Sequence, residues 1–186
     1  MKITKTGLNG LYILEPRIFE DQRGYFFESY NKEAFFSAGI DYNFVQDNQS
    51  KSVYGVIRGL HCQLEPKAQT KLVRVLSGMI FDVAVDIRKG SPTFGEWYGL
   101  ELSCKNQKQL LIPRGFAHGF SVLSEKAVLF YKCDNFYAPE YDAGIVYNDP
   151  ELKIDWRIPP GKEILSAKDA GLPVLKAART NFIYGK

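Results

Sequence analysis

Only two histidines occur among the 186 residues, and both stand in related surroundings: GVIRGLHCQ at 55–63 and IPRGFAHGF at 112–120. Each follows a glycine by two or three positions and has an arginine close upstream. A neutral imidazole is the usual general base near pH 7, and nearby arginines suit an anionic ligand. The pair points to one cavity in which a histidine takes a proton. For His61 the competing reading is a satisfied core or surface residue, and Arg58, Gln63 and Lys71 close by weigh against it. A metal site is the natural rival, because an HxH pair on such a strand can hold a metal. Here the second position is Gln63, and two histidines without a carboxylate at the usual offset make a poor ligand set, so no metal is expected. His118 either packs on Phe116 and Phe120 or faces a ligand, with Gly115 and Gly119 leaving room beside the ring.

Three further residues have ordinary roles open to them as well as chemical ones. Tyr131 in AVLFYKC could be a core tyrosine with its hydroxyl reaching a partner. Lys71 could be a strand-edge lysine. Asp169 stands three residues after Ser166 in LSAKDA, where an acid in a first helical turn favours the helix dipole.

The elements that must position these groups are mostly strands. Val, Ile, Phe and Tyr recur in short segments parted by Gly, Pro, Asn or Asp, a spacing that predicts an antiparallel sandwich or barrel. In FDVAVDI, Phe81, Val83, Val85 and Ile87 share one face while Asp82, Ala84 and Asp86 share the other, which predicts one packed and one polar face. On the strand of His61, Ile57, Gly59, His61 and Gln63 lie opposite Arg58, Leu60 and Cys62 unless Gly59 makes a bulge that turns the arginine inward. Helices are few: NKEAFFSAGI forms one with Asn31 as cap and Gly39 as stop, and SAKDAGLPVLKAA gives pieces broken around Pro173.

Composition bounds the rest. Hydrophobic residues at 45% and aromatics at 14% can build a substantial core, and residues 1–186 are expected to form a single domain. The charge of +3 is slight and unclustered, which argues against a nucleic-acid binder. Cys62, Cys104 and Cys133 lack CxxC spacing and are expected to be free thiols. MKITKTGLNGLYILEP has no apolar run fit for a signal peptide, and no stretch is long enough to span a membrane, so a cytoplasmic location is expected. GxGxxG and GxxxxGK[ST] are both missing, so dinucleotide and phosphate-loop folds have no support.

Taken together, these residues resemble the nucleotide-sugar 3,5-epimerase family, the dTDP-4-dehydrorhamnose 3,5-epimerases of the cupin superfamily. The matching segments are DQRGYFFESYN, FVQDNQSKS, GVIRGLHCQ, KLVRVLSG, FDVAVDIRKGSPTFGEW, LLIPRGFAHGF, YKCDNFYAPE and LSAKDA, in order from about residue 12 to residue 175. The resemblance implies a mainly β, cupin-type jelly roll of antiparallel strands with a few short helices. It also implies cofactor-independent epimerisation at carbons 3 and 5 of dTDP-4-dehydro-6-deoxy-D-glucose, between a dehydratase and a reductase in dTDP-L-rhamnose synthesis. By the same resemblance His61 is the base, Asp169 its partner, Tyr131 the acid, and Lys71 the cation near the keto oxygen. His118 lines the sugar pocket. Arg23, Gln46, Asn48 and Arg58 meet the phosphates or nucleotide, Asp47 is a further substrate-binding residue, Phe26, Glu28 and Tyr137 meet the base, and Lys168 and Asp142 the rim. Asp142 stands where family members commonly carry glutamate, and DWRIPPGKEIL is less well matched. A homodimer follows too, its N-terminal strands pairing so that Arg23, Phe26 and Glu28 reach the partner's site. The alternatives are a mono-epimerase, an epimerase of another 4-keto nucleotide-sugar, a metal-dependent cupin, or a non-catalytic nucleotide-sugar binding module.

Overall fold

β-branched and aromatic side chains pack well on a pleated surface, and most of the segments rich in them become strands. In the computed structural model, which describes residues 1–185, the strands are β1 (Lys2–Lys5), β2 (Tyr12–Glu15), β3 (Phe19–Asp21), β4 (Gly24–Phe26), β5 (Gln46–Val53), β6 (Ile57–Gln63) and β7 (Lys71–Ser77). They continue with β8 (Met79–Asp86), β9 (Trp97–Ser103), β10 (Gln109–Ile112), β11 (Phe116–Val122), β12 (Lys126–Cys133) and β13 (Asp142–Gly144). Every pairing within the sheets is antiparallel. One sheet runs β1-β2-β10-β7-β12-β5, a second runs β13-β6-β11-β8-β9, and β3 with β4 makes a separate hairpin.

The main core lies between the two large sheets. Val73, Val75, Leu110 and Leu129 of the first meet Ile80, Ala84, Leu102, Phe120 and Val122 of the second. The outer face of the second sheet is covered by the C-terminal segment, where Leu152, Trp156, Leu175 and Phe182 pack on Phe81, Val83, Val85 and Ile87. This changes the expectation for FDVAVDI: both faces are buried, and Asp82 and Asp86 are 0% exposed. The sequence showed an alternation of apolar with polar, but the polar row faces the barrel interior and the apolar row the C-terminal cover. Each fully buried Val or Phe of that row contributes roughly 1.5–3 kcal/mol, and the inward carboxylates are tolerated because each has a partner.

The two helical regions form where expected. α1 (Lys32–Ser37) starts at Asn31, whose side chain accepts from the Ala34 N–H, and the chain leaves it through Gly39 at φ +80°. Its Phe35 packs with Ile40 on Leu14, Leu72 and Leu111, outside the first sheet. α2 (Ala167–Ala170) is a single turn whose cap, Ser166, accepts from the Asp169 N–H, and a further 3₁₀ turn follows at Leu175–Ala177. No helix among the described residues is long and apolar enough to cross a membrane.

Candidate active site

The site begins with an irregularity in β6. Ser121 pairs with Ile57 and Phe120 with Arg58, but His118 pairs with His61, so two residues of β11 span three of β6. That is a β-bulge, the exception on which the inward turn of Arg58 depended. Gly59 makes it at φ +115°, where a Cβ would lie 2.6 Å from His118 O and from Gly119 Cα. Gly119 is required by the same closeness, since its Cβ would fall 2.7 Å from Arg58 O. Gly119 therefore lets two backbones approach one another and Gly115 makes room for the Arg88 side chain, so the space beside both glycines is taken by protein.

Because of the bulge, Arg58 and His61 both line a cavity of about 260 Å³ between the sheets. His118, Gly119 and Phe120 of β11 share the same wall. Facing them from the first sheet are Asn48, Gln49 and Ser50 of β5, Lys71 of β7, and Leu129 and Tyr131 of β12. Tyr131 is on the inward row of its strand with Leu129 and Cys133, and the Lys71 ammonium lies 5.9 Å from its ring centre.

Asp169 comes to His61 from α2, over 100 positions away, with 2.6 Å between His61 Nε2 and Asp169 Oδ1. Asp169 is buried, so its cap-turn position and its contact with the imidazole are both real. A carboxylate can only accept, so Nε2 carries the proton and donates it, leaving the lone pair on Nδ1. Burial holds the imidazole below its ordinary pKa, with Asp169 opposing that and Lys71 and Lys168 reinforcing it. The ring is thus neutral near pH 7 with its basic nitrogen unblocked. Tyr131 is shifted the other way: burial, with Cys133 adding to it and Arg58 opposing, keeps its phenol protonated. One wall presents a neutral imidazole and the other a protonated phenol.

His118 has a carboxylate as well: its Nε2–H donates to Asp82 Oδ1 at 2.8 Å, with both side chains nearly or fully buried. Asp82, and Ser52, whose Oγ accepts from Arg58 Nε at 3.1 Å, are site residues that sequence reasoning missed. The available signal for Asp82 was an acid flanked on both sides by apolar residues within a strand. Gln63, at the would-be second ligand position, has its amide fully engaged with main-chain groups of Lys67, Phe136 and Ala138.

Several other expected residues interact with one another outside the cavity lining. Lys168 and Asp142 form an ion pair, Gln46 accepts from the Tyr137 N–H at 2.9 Å, and Gln46 Nε2 donates to Asn48 Oδ1 at 3.1 Å. Asp47 is not brought to the cavity. It lies on the outward row of β5, paired with Lys132 at 2.9 Å, because neighbours along a strand point to opposite faces. Arg23, Phe26 and Glu28 do not line the cavity either: Arg23 pairs with Asp21 on the open β3–β4 hairpin, Phe26 is 70% exposed, and Glu28 accepts from Asn31.

Comparison with known proteins gives a consistent result. A family model described as dTDP-4-dehydrorhamnose 3,5-epimerase matches residues 5–177. A dTDP-4-dehydrorhamnose 3,5-epimerase of Pseudomonas aeruginosa is 55% identical over 170 residues, covering 91% of this chain and 93% of the relative. The crystal structure of such an enzyme from Elizabethkingia anophelis is similar at a TM-score of 0.91 and 55% identity, with 95% and 97% of the two chains covered. A dTDP-6-deoxy-D-glucose-3,5-epimerase from Legionella pneumophila, in complex with dTDP-4-keto-L-rhamnose, is similar at a TM-score of 0.91 and 50% identity, covering 95% and 93%.

Proposed function

The chain belongs to the dTDP-4-dehydrorhamnose 3,5-epimerase family, and from that premise we propose how its cavity performs the reaction. It is an isomerase of dTDP-rhamnose biosynthesis, with a mainly β, cupin-type fold, that epimerises a dTDP-4-dehydro-6-deoxy sugar at carbons 3 and 5. Both carbons flank the keto group, so loss of either proton gives an enolate. His61 Nδ1 takes the proton, and the electron pair moves onto the keto oxygen. Such protons are too weakly acidic for imidazole alone, and a cation aimed at the developing oxyanion supplies the missing stabilisation. Lys71 is that cation. Tyr131 then delivers a proton to the opposite face of the carbon, which inverts it. Asp169 holds the tautomer that leaves Nδ1 free and stabilises the imidazolium once formed. The steps are redox-neutral proton transfers and call for no nicotinamide.

The observation that carries this reading is the division of groups between the sheets. His61, backed by Asp169, stands on β6, while Lys71 and Tyr131 stand on β7 and β12 across one cavity. A binding module has no use for an acid and a base on facing walls. Arg58 and Asn48 at the cavity and Gln46 beside it suit the diphosphate, His118 suits the sugar, and exposed Tyr137 suits stacking on the nucleoside base, with Lys168 and Asp142 at the rim. The β3–β4 hairpin, with Arg23, Phe26 and Glu28 away from the chain's own cavity, fits a homodimer in which it reaches the other copy's site.

The test is proton NMR of dTDP-4-keto-6-deoxyglucose with the chelator-treated protein in heavy water. Deuterium at carbons 3 and 5 is expected. Exchange at one carbon alone would make it a mono-epimerase, and no exchange would refute the assignment of His61.

A further inference from the structure

Gln63 is buried, yet it touches no part of the catalytic cavity. Its amide donates to Lys67 O at 2.7 Å and to Phe136 O at 3.1 Å, and its Oε1 accepts from the Ala138 N–H at 2.8 Å. Two of these bonds therefore grip the residues immediately before and after Tyr137. The Tyr137 N–H is taken by a second glutamine, Gln46, at 2.9 Å. The start of the same loop is pinned from elsewhere: Asp134 Oδ1 accepts from the Thr70 N–H at 2.6 Å, and Gln69 Nε2 donates to Asn135 O at 2.8 Å. Every residue from 134 to 138 is fastened by a hydrogen bond involving a side chain. The Tyr137 ring itself is 58% exposed.

A loop whose backbone is this fully fixed while its aromatic side chain stands in the open is built to present the ring. A flat ring held in place stacks on a base at lower entropy cost than a mobile one. From this we propose that Gln63, assisted by Gln46, is a positioning residue that fixes Tyr137 as the platform for the nucleoside base. The inference rests on the reading above in which Tyr137 stacks on that base. It gives Gln63 a definite function: it sits two residues beyond His61 on β6, roughly 7 Å along the strand. One strand thereby carries the base that attacks the sugar and the clamp that locates the nucleoside end. The distance between reaction centre and nucleotide anchor is then set by rigid sheet rather than by a loop.

The experiment is calorimetric titration with dTDP of the wild type, Gln63→Met, Tyr137→Ala and the double variant, with steady-state kinetics alongside. Gln63→Met keeps the length and removes all three bonds. Loss of a base stack costs ~1–3 kcal/mol, about 5- to 150-fold in affinity, so Tyr137→Ala is expected to weaken dTDP by about tenfold or more and Gln63→Met by about fivefold. The double variant should bind like Tyr137→Ala, KM should rise more than kcat falls, and amide exchange at Tyr137 and Ala138 should quicken. A merely structural role for Gln63 would weaken binding to the same extent whether or not Tyr137 is present. Losses that multiply in the double variant, or wild-type affinity in Gln63→Met beside a weakened Tyr137→Ala, overturn the clamp alone. Wild-type affinity in Tyr137→Ala overturns the stacking reading and the clamp with it. If Gln63→Met does not fold, Gln63→Glu, which keeps an acceptor for the Ala138 N–H and loses both donated bonds, is held to the same coupling.

Discussion

Replacing Asp169 by asparagine tests the base directly, because two effects of the carboxylate separate. Asp169 raises the His61 pKa both by its charge and by the 2.6 Å hydrogen bond, against burial, which lowers it. Wild-type kcat/KM should therefore fall on the acid side with a midpoint below the ordinary histidine value of 6.5. Without the carboxylate only the lowering influences remain, so the acid limb must move to still lower pH. The plateau moves as well. A hydrogen bond to a charged group contributes about 1.5–3 kcal/mol, and this one reaches that strength only as the imidazolium forms. At 1.36 kcal/mol per decade, kcat should drop roughly 10- to 150-fold, and further wherever the asparagine amide donates to Nε2 and forces the proton onto Nδ1. The assay is deuterium wash-in at carbons 3 and 5 followed by NMR across pH 4.5–9. An acid limb that moved upward, or a plateau within about threefold of the wild type, would refute the reasoning.

The cation should act with the opposite sign. Lys71 lowers the His61 pKa, so Lys71→Met should move the acid limb upward while the plateau falls on the order of 100-fold, read from the same pH series. Tyr131→Phe should leave deuterium exchange at carbons 3 and 5 running while net inversion falls about 100-fold, measured as exchanged but uninverted substrate by NMR. Gly59→Ala should destabilise the fold by about 2 kcal/mol or more, because its Cβ would meet backbone at 2.6 Å; calorimetry should show Tm down by roughly 4–8 °C. For the proposed homodimer, Phe26→Asp should yield a folded monomer by light scattering and circular dichroism, with loss of activity.

How far the sequence spoke depends on whether a feature is local or made by pairing. Period-2 rows, the Asn31 cap and the Ser166 turn are short-range, and each is found where its residues predicted it. The orientation of FDVAVDI was not legible, since the alternation does not say which row faces the barrel interior. Once Trp156 and Phe182 cover the apolar row, Asp82 is turned inward to His118. Asp47 shows the same limit on a smaller scale: it adjoins Gln46 and Asn48 in sequence, and the pleat sends it outward to Lys132. Asp169 was found through family resemblance, because no spacing rule connects a helix cap to a histidine more than 100 residues earlier.

The bulge at Gly59 ties fold to reaction most closely. In regular pairing Arg58 and His61 would point to opposite faces, and the ligand could have its anion anchored or its carbon deprotonated from this strand, but not both. One extra residue brings both side chains to the same cavity, and it is tolerated because neither Gly59 nor Gly119 has a Cβ to bring into collision. The facing sheet supplies Lys71 and Tyr131 from two strands whose pairing is regular over this stretch, from Leu129 opposite Val75 to Cys133 opposite Lys71. The proposed base and acid are thus fixed by two separate hydrogen-bonded sheets whose spacing is held by the core of Val73, Leu129 and Phe120. Inversion needs a gap wide enough for one sugar ring and no wider, and sheets packed about 10 Å apart provide it.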